Sequence, residues 1–487
     1  MPKLNPLEVE IESTDFDGAG LQIEKLEGRE HISELFQFDL TVVMRGGGEL
    51  PSGAIPGASL TLLMSRTNAS NEVELRRIHG AIQSVRDRLD ANRQHRTYVL
   101  RVVPRLSALR LVVTQELFLS STVVDIIKKK LDLHDLAGEQ LVFHTEDWPS
   151  RELVVQYQES DFAFVSRLAE HLGISFVFHH PEKGPECVIF TDDPAHQGIA
   201  DAIAEVHYRA DGEHSDVFAL EVEREQYPSI FVAQDYNYRR PLTDIAAVHA
   251  LKDGGNGGGV IEYGTHHKTK EEGERVAKVR AEEYAAAAET YFGKSALFTL
   301  TAGACPALVD HPSVDGERLL IVEVNHTATF GTSDSAVAGY SNSFRAVSAG
   351  RRYRPPRATR KPRISGLVTG NIALGPNGQI GGRAQIDEEG RYTVQLHFDT
   401  VTHEGQERAS HPIRMAQPFA GPNHGFHFPL RPGTEVVVAF LDGDPDRPII
   451  VGSVPNATNR SSVTVQNSNA NRIESATGIV LQFSENK

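Results

Sequence analysis

From Tyr392 onward the side chains alternate with a period of two: Tyr392, Val394, Leu396 and Phe398 share one face, and Thr393, Gln395, His397 and Asp399 the other. A segment patterned this way can bury only one face, so it belongs in a sheet with one side on a core and the other toward water. Two more strand-like runs follow, Glu435 to Leu441 and Ile449 to Val451, joined through the turn Asp442-Gly443-Asp444-Pro445-Asp446. Several short strands within residues 364–456 predict a small barrel, an OB-type barrel among the candidates.

The upstream sequence is also strand-rich. Leu35 to Val43 alternates loosely, Leu60 to Met64 follows a Gly/Pro-rich turn, and Tyr98 to Val103 stops at Pro104. Two helices interrupt this pattern. After Ser120-Ser121-Thr122, the residues Val123, Ile126, Ile127 and Leu131 fall at helical spacing. Ser160 is placed to cap a second helix carrying Phe164, Leu168 and Leu172, with Gly173 as its stop and the strand Ile174 to Phe178 behind it. A third helix fits roughly 268–291, where charges outnumber apolar residues and predict a solvated face. The expected class is mainly β with α+β insertions.

Two stretches read as breaks. Asp253 to Gly259 is a glycine-rich loop, and residues 350–363 hold seven basic residues and three prolines. The second stretch cannot make a core and favours an extended conformation that contacts acidic protein surface. The expected organisation is therefore 1–349, a linker at 350–363, the barrel at 364–456 and a tail at 457–487. The tail carries β-like pieces, Val463-Thr464-Val465 and Ile479 to Phe483, too short to cover their own apolar faces.

Composition narrows the function. With 487 residues, the chain has room for roughly three domains, or two if one is large. Sixty-five acidic against 49 basic residues give −16, a poor surface for a phosphate backbone. The barrel region has six arginines, no lysine and ten acids, so it lacks the cationic groove that single strands require. No nucleic acid partner is expected. Cys187 and Cys305 are too few for a disulfide scaffold or a Cys-rich zinc site, and read as independent buried residues of a chain folded in a reducing cytosol. The N-terminus MPKLNPLEVEIESTD has no apolar secretory core, and no run approaches a membrane span.

The glycines at 254–259 lack the Lys-Ser/Thr of a phosphate loop. His403-Glu404-Gly405-Gln406-Glu407 begins like a zinc-protease motif but has Glu where the second His must stand. Asp442, Asp444 and Asp446 have calcium-loop spacing, yet Arg447 and Ser453 occupy the positions that need Gly and Glu, so a turn explains them better. His424 and His427 have no clear third and fourth ligand, although His397, His403 and His411 are near in sequence. Glu388 and Glu389 are adjacent and make a poor acid/base pair. No catalytic, cofactor-binding or metal residue is assigned.

Other residues carry a family likeness. The block QESDFAFVSRLAEHLGISFVF at 158–178 resembles one found in the VgrG spike proteins of type VI secretion. So do Asp235-Tyr236-Asn237-Tyr238-Arg239-Arg240-Pro241, the RPP-type linker, and Gly390 to Asp399. Most specific is 413–456, with AQP-Phe-AG, GFHF, RPGTEV, the run Gly443-Asp444-Pro445-Asp446-Arg447-Pro448 and GSV in order. Ile413, Phe419 and Phe398 stand where the family often has Trp, and keep the apolar character.

The resemblance implies a fusion of two phage-tail parts, a gp27-like hub at 1–349 and a gp5-like OB spike neck at 364–456. It implies a homotrimer that caps the hexameric Hcp tube, contacts baseplate proteins, carries effector proteins and a PAAR-type tip, and meets the target membrane only by mechanical puncture. It implies no enzyme and no cofactor. The family's β-helical needle would begin about where this sequence ends, so 457–487 is read as its start, truncated or atypical, with no room for an effector domain. Val463, Val465, Ile473, Ile479, Val480, Leu481 and Phe483 are the expected trimer or needle interface. The chain would be made and assembled in the cytoplasm and exported by the machine. A hub-spike of a phage tail or extracellular contractile particle is an alternative, and a cell-wall hydrolase with an OB accessory domain a more distant one.

Overall fold

The computed structural model describes residues 5–18, 20–44, 49–67, 71–88, 96–196, 203–209, 216–251, 257–330, 339–374, 380–399 and 410–484. They form two compact units. The first takes residues 1–111, 127–147 and 162–360; the second takes 112–126, 148–161 and 361–487.

The first unit is built on a ten-stranded antiparallel sheet. From one edge its order is Glu8–Glu12, Ser59–Thr67, Val73–Arg88, Arg96–Val103, Gln37–Met44, Leu21–His31, Leu319–Thr329, Gly339–Ser348, Glu289–Ser295 and Val217–Arg224. Period-two patterning places the inner residues: Phe38, Leu40 and Val42 are buried in one strand, and Leu60, Leu62 and Met64 in another. Gly28 is required where it stands, because a Cβ there would lie 2.2 Å from the Phe38 ring.

Among the described residues there are three α-helices, α1 (Val123–Asp132), α2 (Asp161–Leu172) and α3 (Lys270–Ala287). Gly173 ends α2 at φ +69°, the left-handed stop that a residue with a Cβ adopts only with strain. Strand Ser175–His179 follows and pairs with Cys187–Thr191, which pairs in parallel with Leu141–His144. α3 starts on Thr269, whose hydroxyl accepts from the Glu272 N–H. It is shorter than the sequence suggests, since Glu289–Ser295 is already strand. Despite its charge, α3 buries Val276, Ala277, Val279, Ala281 and Arg280.

The basic stretch at 350–363 departs from expectation. Tyr353, Arg354 and Pro355 are buried, and Tyr353 packs in one core cluster with Ile32, Val177, Ala286 and Leu320. Arginine enters a core when its fork is fully engaged. Here the Arg354 Nε lies 2.8 Å from a Glu282 oxygen, and its Nη1 donates to the Gly173 carbonyl at 3.0 Å.

The second unit has a four-stranded sheet in the order Val394–Leu396, Val368–Ile372, Glu435–Phe440, Pro448–Ser453. Its core includes Tyr392, Val394, Leu396, Ile413, Val436, Val438 and Ile450. Leu117, Leu153 and Val155 share that core, from an antiparallel ribbon of Val113–Ser121 and Arg151–Ser160. Sequence alone left this ribbon in the hub region, because strand patterning fixes which face is buried but not the core that receives it.

Candidate assembly surfaces

The tail residues come together in part. Ala470–Glu474 and Val480–Ser484 form an antiparallel hairpin with Ile473 opposite Leu481 and Glu474 opposite Val480. Ile473, Ile479, Val480, Leu481 and Phe483 are all exposed, Ile479 to 74%. A two-stranded ribbon with apolar residues left open is marginal by itself. The strand expected at Val463-Thr464-Val465 is absent. Val463 is half-buried in irregular chain, and Val465, which is exposed, begins a short 3₁₀ turn to Asn467. The Asn467 carboxamide accepts from the Thr464 N–H at 2.7 Å and bends the chain there.

The motif Asp235 to Pro241 forms a fastened loop. The Asp235 carboxylate accepts from the Tyr236 and His266 N–H groups, and the Asn237 side chain bridges the Arg239 N–H and the Lys268 carbonyl. The Arg239 guanidinium lies over the Tyr238 ring at 5.4 Å, while Tyr236 is exposed. The loop displays Tyr236 and just beyond it the fully exposed Leu242.

The motif Gly443 to Pro448 is the corner between strands Glu435–Phe440 and Pro448–Ser453. Asp442 and Gly443 both adopt positive φ, +55° and +72°, which lets the chain reverse. The Arg447 N–H donates to the Asp444 carbonyl, and the Leu441 N–H to the Arg447 carbonyl. The Lys361 ammonium sits between the carboxylates of Asp444, at 2.5 Å, and Asp446, at 2.9 Å. Asp446 also accepts from the Val155 N–H at 2.7 Å, tying the ribbon to the corner. These carboxylates hold a lysine and a strand, which is the turn reading of the Asp442-Asp444-Asp446 spacing. Lys361 was not foreseen as their partner; the signal was a lone lysine just before a region that has none.

The two histidines weighed as ligands have other work. His427 uses both ring nitrogens, Nε2 toward the Tyr392 hydroxyl at 2.9 Å and Nδ1 toward the Gln417 amide at 2.7 Å. His424 Nδ1 lies 2.9 Å from the Pro422 carbonyl. His397 pairs with Thr369, and the His403 to Glu407 motif lies outside the described residues. Glu388 and Glu389 lie in a turn built on the Asp387 carboxylate.

Sequence reasoning also missed a buried polar network in the first unit. The Arg76 guanidinium joins Glu30 at 2.5 Å and donates to the Phe298 and Leu300 carbonyls. His326 contacts Glu30 at 3.2 Å and the Tyr340 hydroxyl at 2.6 Å. Burial works to raise the Glu30 carboxyl, but the Arg76 charge and the His326 contact together outweigh it and hold the group well below the usual carboxylate range. Burial likewise lowers the His326 imidazole and raises the Tyr340 phenol to about 12. Such a network is engaged in holding chain segments together, and is not a site open to substrate.

A β-rich hub and a small OB-type unit ending in an exposed ribbon define the class of contractile-injector hub and spike proteins. Residues 29–332 match the phage tail baseplate hub (GPD), and residues 383–454 match the type VI secretion system/phage-baseplate injector OB domain. The chain belongs to the phage tail baseplate hub family. It is 29% identical over 454 residues to the type VI secretion system spike protein VgrG1c of Pseudomonas aeruginosa, covering 90% of this chain and 60% of that protein. The chain thus spans about three fifths of that relative's length.

Among solved structures, the E. coli c3393 protein has a TM-score of 0.65 at 22% identity, over 91% of this chain and all of that one. It is described as a type VI secretion component similar to the T4 tail proteins gp27 and gp5. A Francisella PdpA-VgrG complex gives 0.66 at 11% identity, over 99% and 76%. The VgrG likeness drawn from the motifs, the mainly β class and the OB-type barrel are borne out by these matches.

Proposed function

We propose that this chain is the spike of a type VI contractile injection machine and acts mechanically, without catalysis. The observation that carries this is the union, in one chain, of a baseplate-hub match and an injector OB match, followed by a hairpin whose apolar residues lie open. Three copies form the hub ring and cap the hexameric Hcp tube. The barrel makes the neck, and residues after 456 begin a threefold β-needle in which each copy covers the others' apolar residues. A PAAR-type protein tips the needle, baseplate proteins hold the hub, and effectors travel with the spike into the target. The chain is made in the cytoplasm and leaves through the machine.

The test is to mix the purified chain with assembled Hcp tubes and image them. One cap at a single end of each tube is expected, together with no peptidoglycan turnover by the same sample. Bare tube ends, or turnover of the cell wall, would overturn the proposal.

A further inference from the structure

Family likeness and packing divide the chain differently. The hub match runs over residues 29–332 and the injector OB match over 383–454. The ribbon of Val113–Ser121 and Arg151–Ser160 lies well inside the hub-matched range, yet its apolar side chains sit in the barrel core. Val155 is wholly buried, and Leu117, directly opposite it in the ribbon, is 5% exposed. Both cluster, together with Leu153, against the barrel residues Leu396, Val436 and Val438. Among the described residues, the ribbon supplies three of the thirteen buried side chains of that core. Two directional contacts fix its place. The Tyr157 ring meets the Phe398 ring edge to face at 5.2 Å, and the Val155 N–H donates to the Asp446 carboxylate at 2.7 Å.

Neither partner is self-sufficient. A two-stranded ribbon is marginal in water, and the barrel sheet is built from strands of only three to six residues. A core that small cannot give up three buried aliphatic side chains and keep its density. The Asp446 side chain is 1% exposed, so without the Val155 N–H a buried acceptor would also lose a donor. The ribbon's opposite face is covered as well, with Phe118 and Val154 buried, so it is not a loose arm resting on the barrel.

We infer that the injector barrel is a composite fold: residues 361–487 present an apolar seat, and its occupant is the hub-matched segment 112–126 and 148–161 of the same chain. The barrel is then no cassette hung on the 350–363 strap. The chain passes between the two units five times, after residues 111, 126, 147, 161 and 360, and a pull on the barrel is shared among those crossings. That consequence rests on the mechanical reading above; the ribbon's place in the barrel does not. Hydrogen exchange of the full chain, read by mass spectrometry just below the barrel's urea transition, is the test. Leu153→Ala in the ribbon should speed exchange in Val368–Ile372 and Glu435–Phe440 at least about 30-fold, the low end for emptying a buried leucine site. Exchange in Gln37–Met44 of the first unit should hold. The reciprocal variant Val438→Ala should speed the ribbon strands by the same factor as the barrel strands, and it serves where Leu153→Ala does not fold. Barrel strands indifferent to Leu153→Ala, or a ribbon indifferent to Val438→Ala, would overturn the inference and leave the capping of Hcp tubes to its own test.

Discussion

Replacing Arg354 by methionine should destabilise the first unit substantially and almost independently of salt. The residue is 3% exposed, its Nε lies 2.8 Å from Glu282, and its Nη1 donates to the Gly173 and Asp192 carbonyls at 3.0 and 3.4 Å. Methionine keeps the apolar stem but strands the partly buried Glu282 carboxylate and two carbonyls. Removing one partner of a buried pair costs about 3–5 kcal/mol. The lower end applies here, because Lys278 and Arg352 remain 3.8 Å from Glu282. About 3 kcal/mol corresponds to a fall in Tm of about 4 °C for a unit of this size.

The contrast is Arg357, a third exposed and paired to Glu262 at 2.5 Å. Arg357→Met should cost only about 0.5–1 kcal/mol, and less as salt rises. Thermal melting of both variants at about 0.02 M and about 0.5 M salt is the assay. An Arg354→Met transition within a degree of the parent, or a loss that vanishes in salt, would refute the argument that burial removes this strap from screening.

Acid should weaken the first unit through His180, whose Nδ1 accepts from the His79 N–H at 3.1 Å while burial pushes its pKa down to about 3. A base depressed in the fold contributes stability that is full above 6.5 and is lost as pH falls toward 3, about 2 kcal/mol of it by pH 5. His180→Asn, which keeps an acceptor for His79, should flatten the pH-stability curve over that range; an unchanged slope would reject the assignment. Lys361→Met should lower the urea midpoint of the barrel transition by the equivalent of about 2–3 kcal/mol, since Asp446 is 1% exposed at its side chain and loses the lysine contact at 2.9 Å. Cys187 and Cys305 are both free and half-buried, not fully buried as their type suggests, and non-reduced peptide mapping should find no link between them. Removing residues after Asn456 should weaken trimers while leaving both melting transitions in place, and a trimer indifferent to the cut would take the tail out of the interface.

Much of the fold was legible because period-two and helical patterns act locally. Val123, Ile126, Ile127 and Leu131 announced α1, Gly173 announced the end of α2, and Tyr392 to Leu396 announced the barrel core. What the sequence hid was pairing across long separations. Nothing local tells that Val155 donates to Asp446, that Lys361 sits between two aspartates of a distant turn, or that Glu30 pairs with Arg76 and His326. The basic stretch meets acidic surface as its charges imply, but its entry into a core was hidden for the same reason, because Glu146, Glu262 and Glu282 are remote in sequence. At the assembly surfaces the apolar tail residues were visible as residues, but the bend at Val465 depended on the Asn467 carboxamide capturing a backbone N–H.

The trimeric spike is tested most directly by the solution mass of the full chain. One copy is 53.5 kDa, so light scattering at micromolar concentration should return three times that, about 160 kDa, and hold it on dilution until the assembly dissociates cooperatively. A mass of 53.5 kDa at every concentration would contradict the account at its centre.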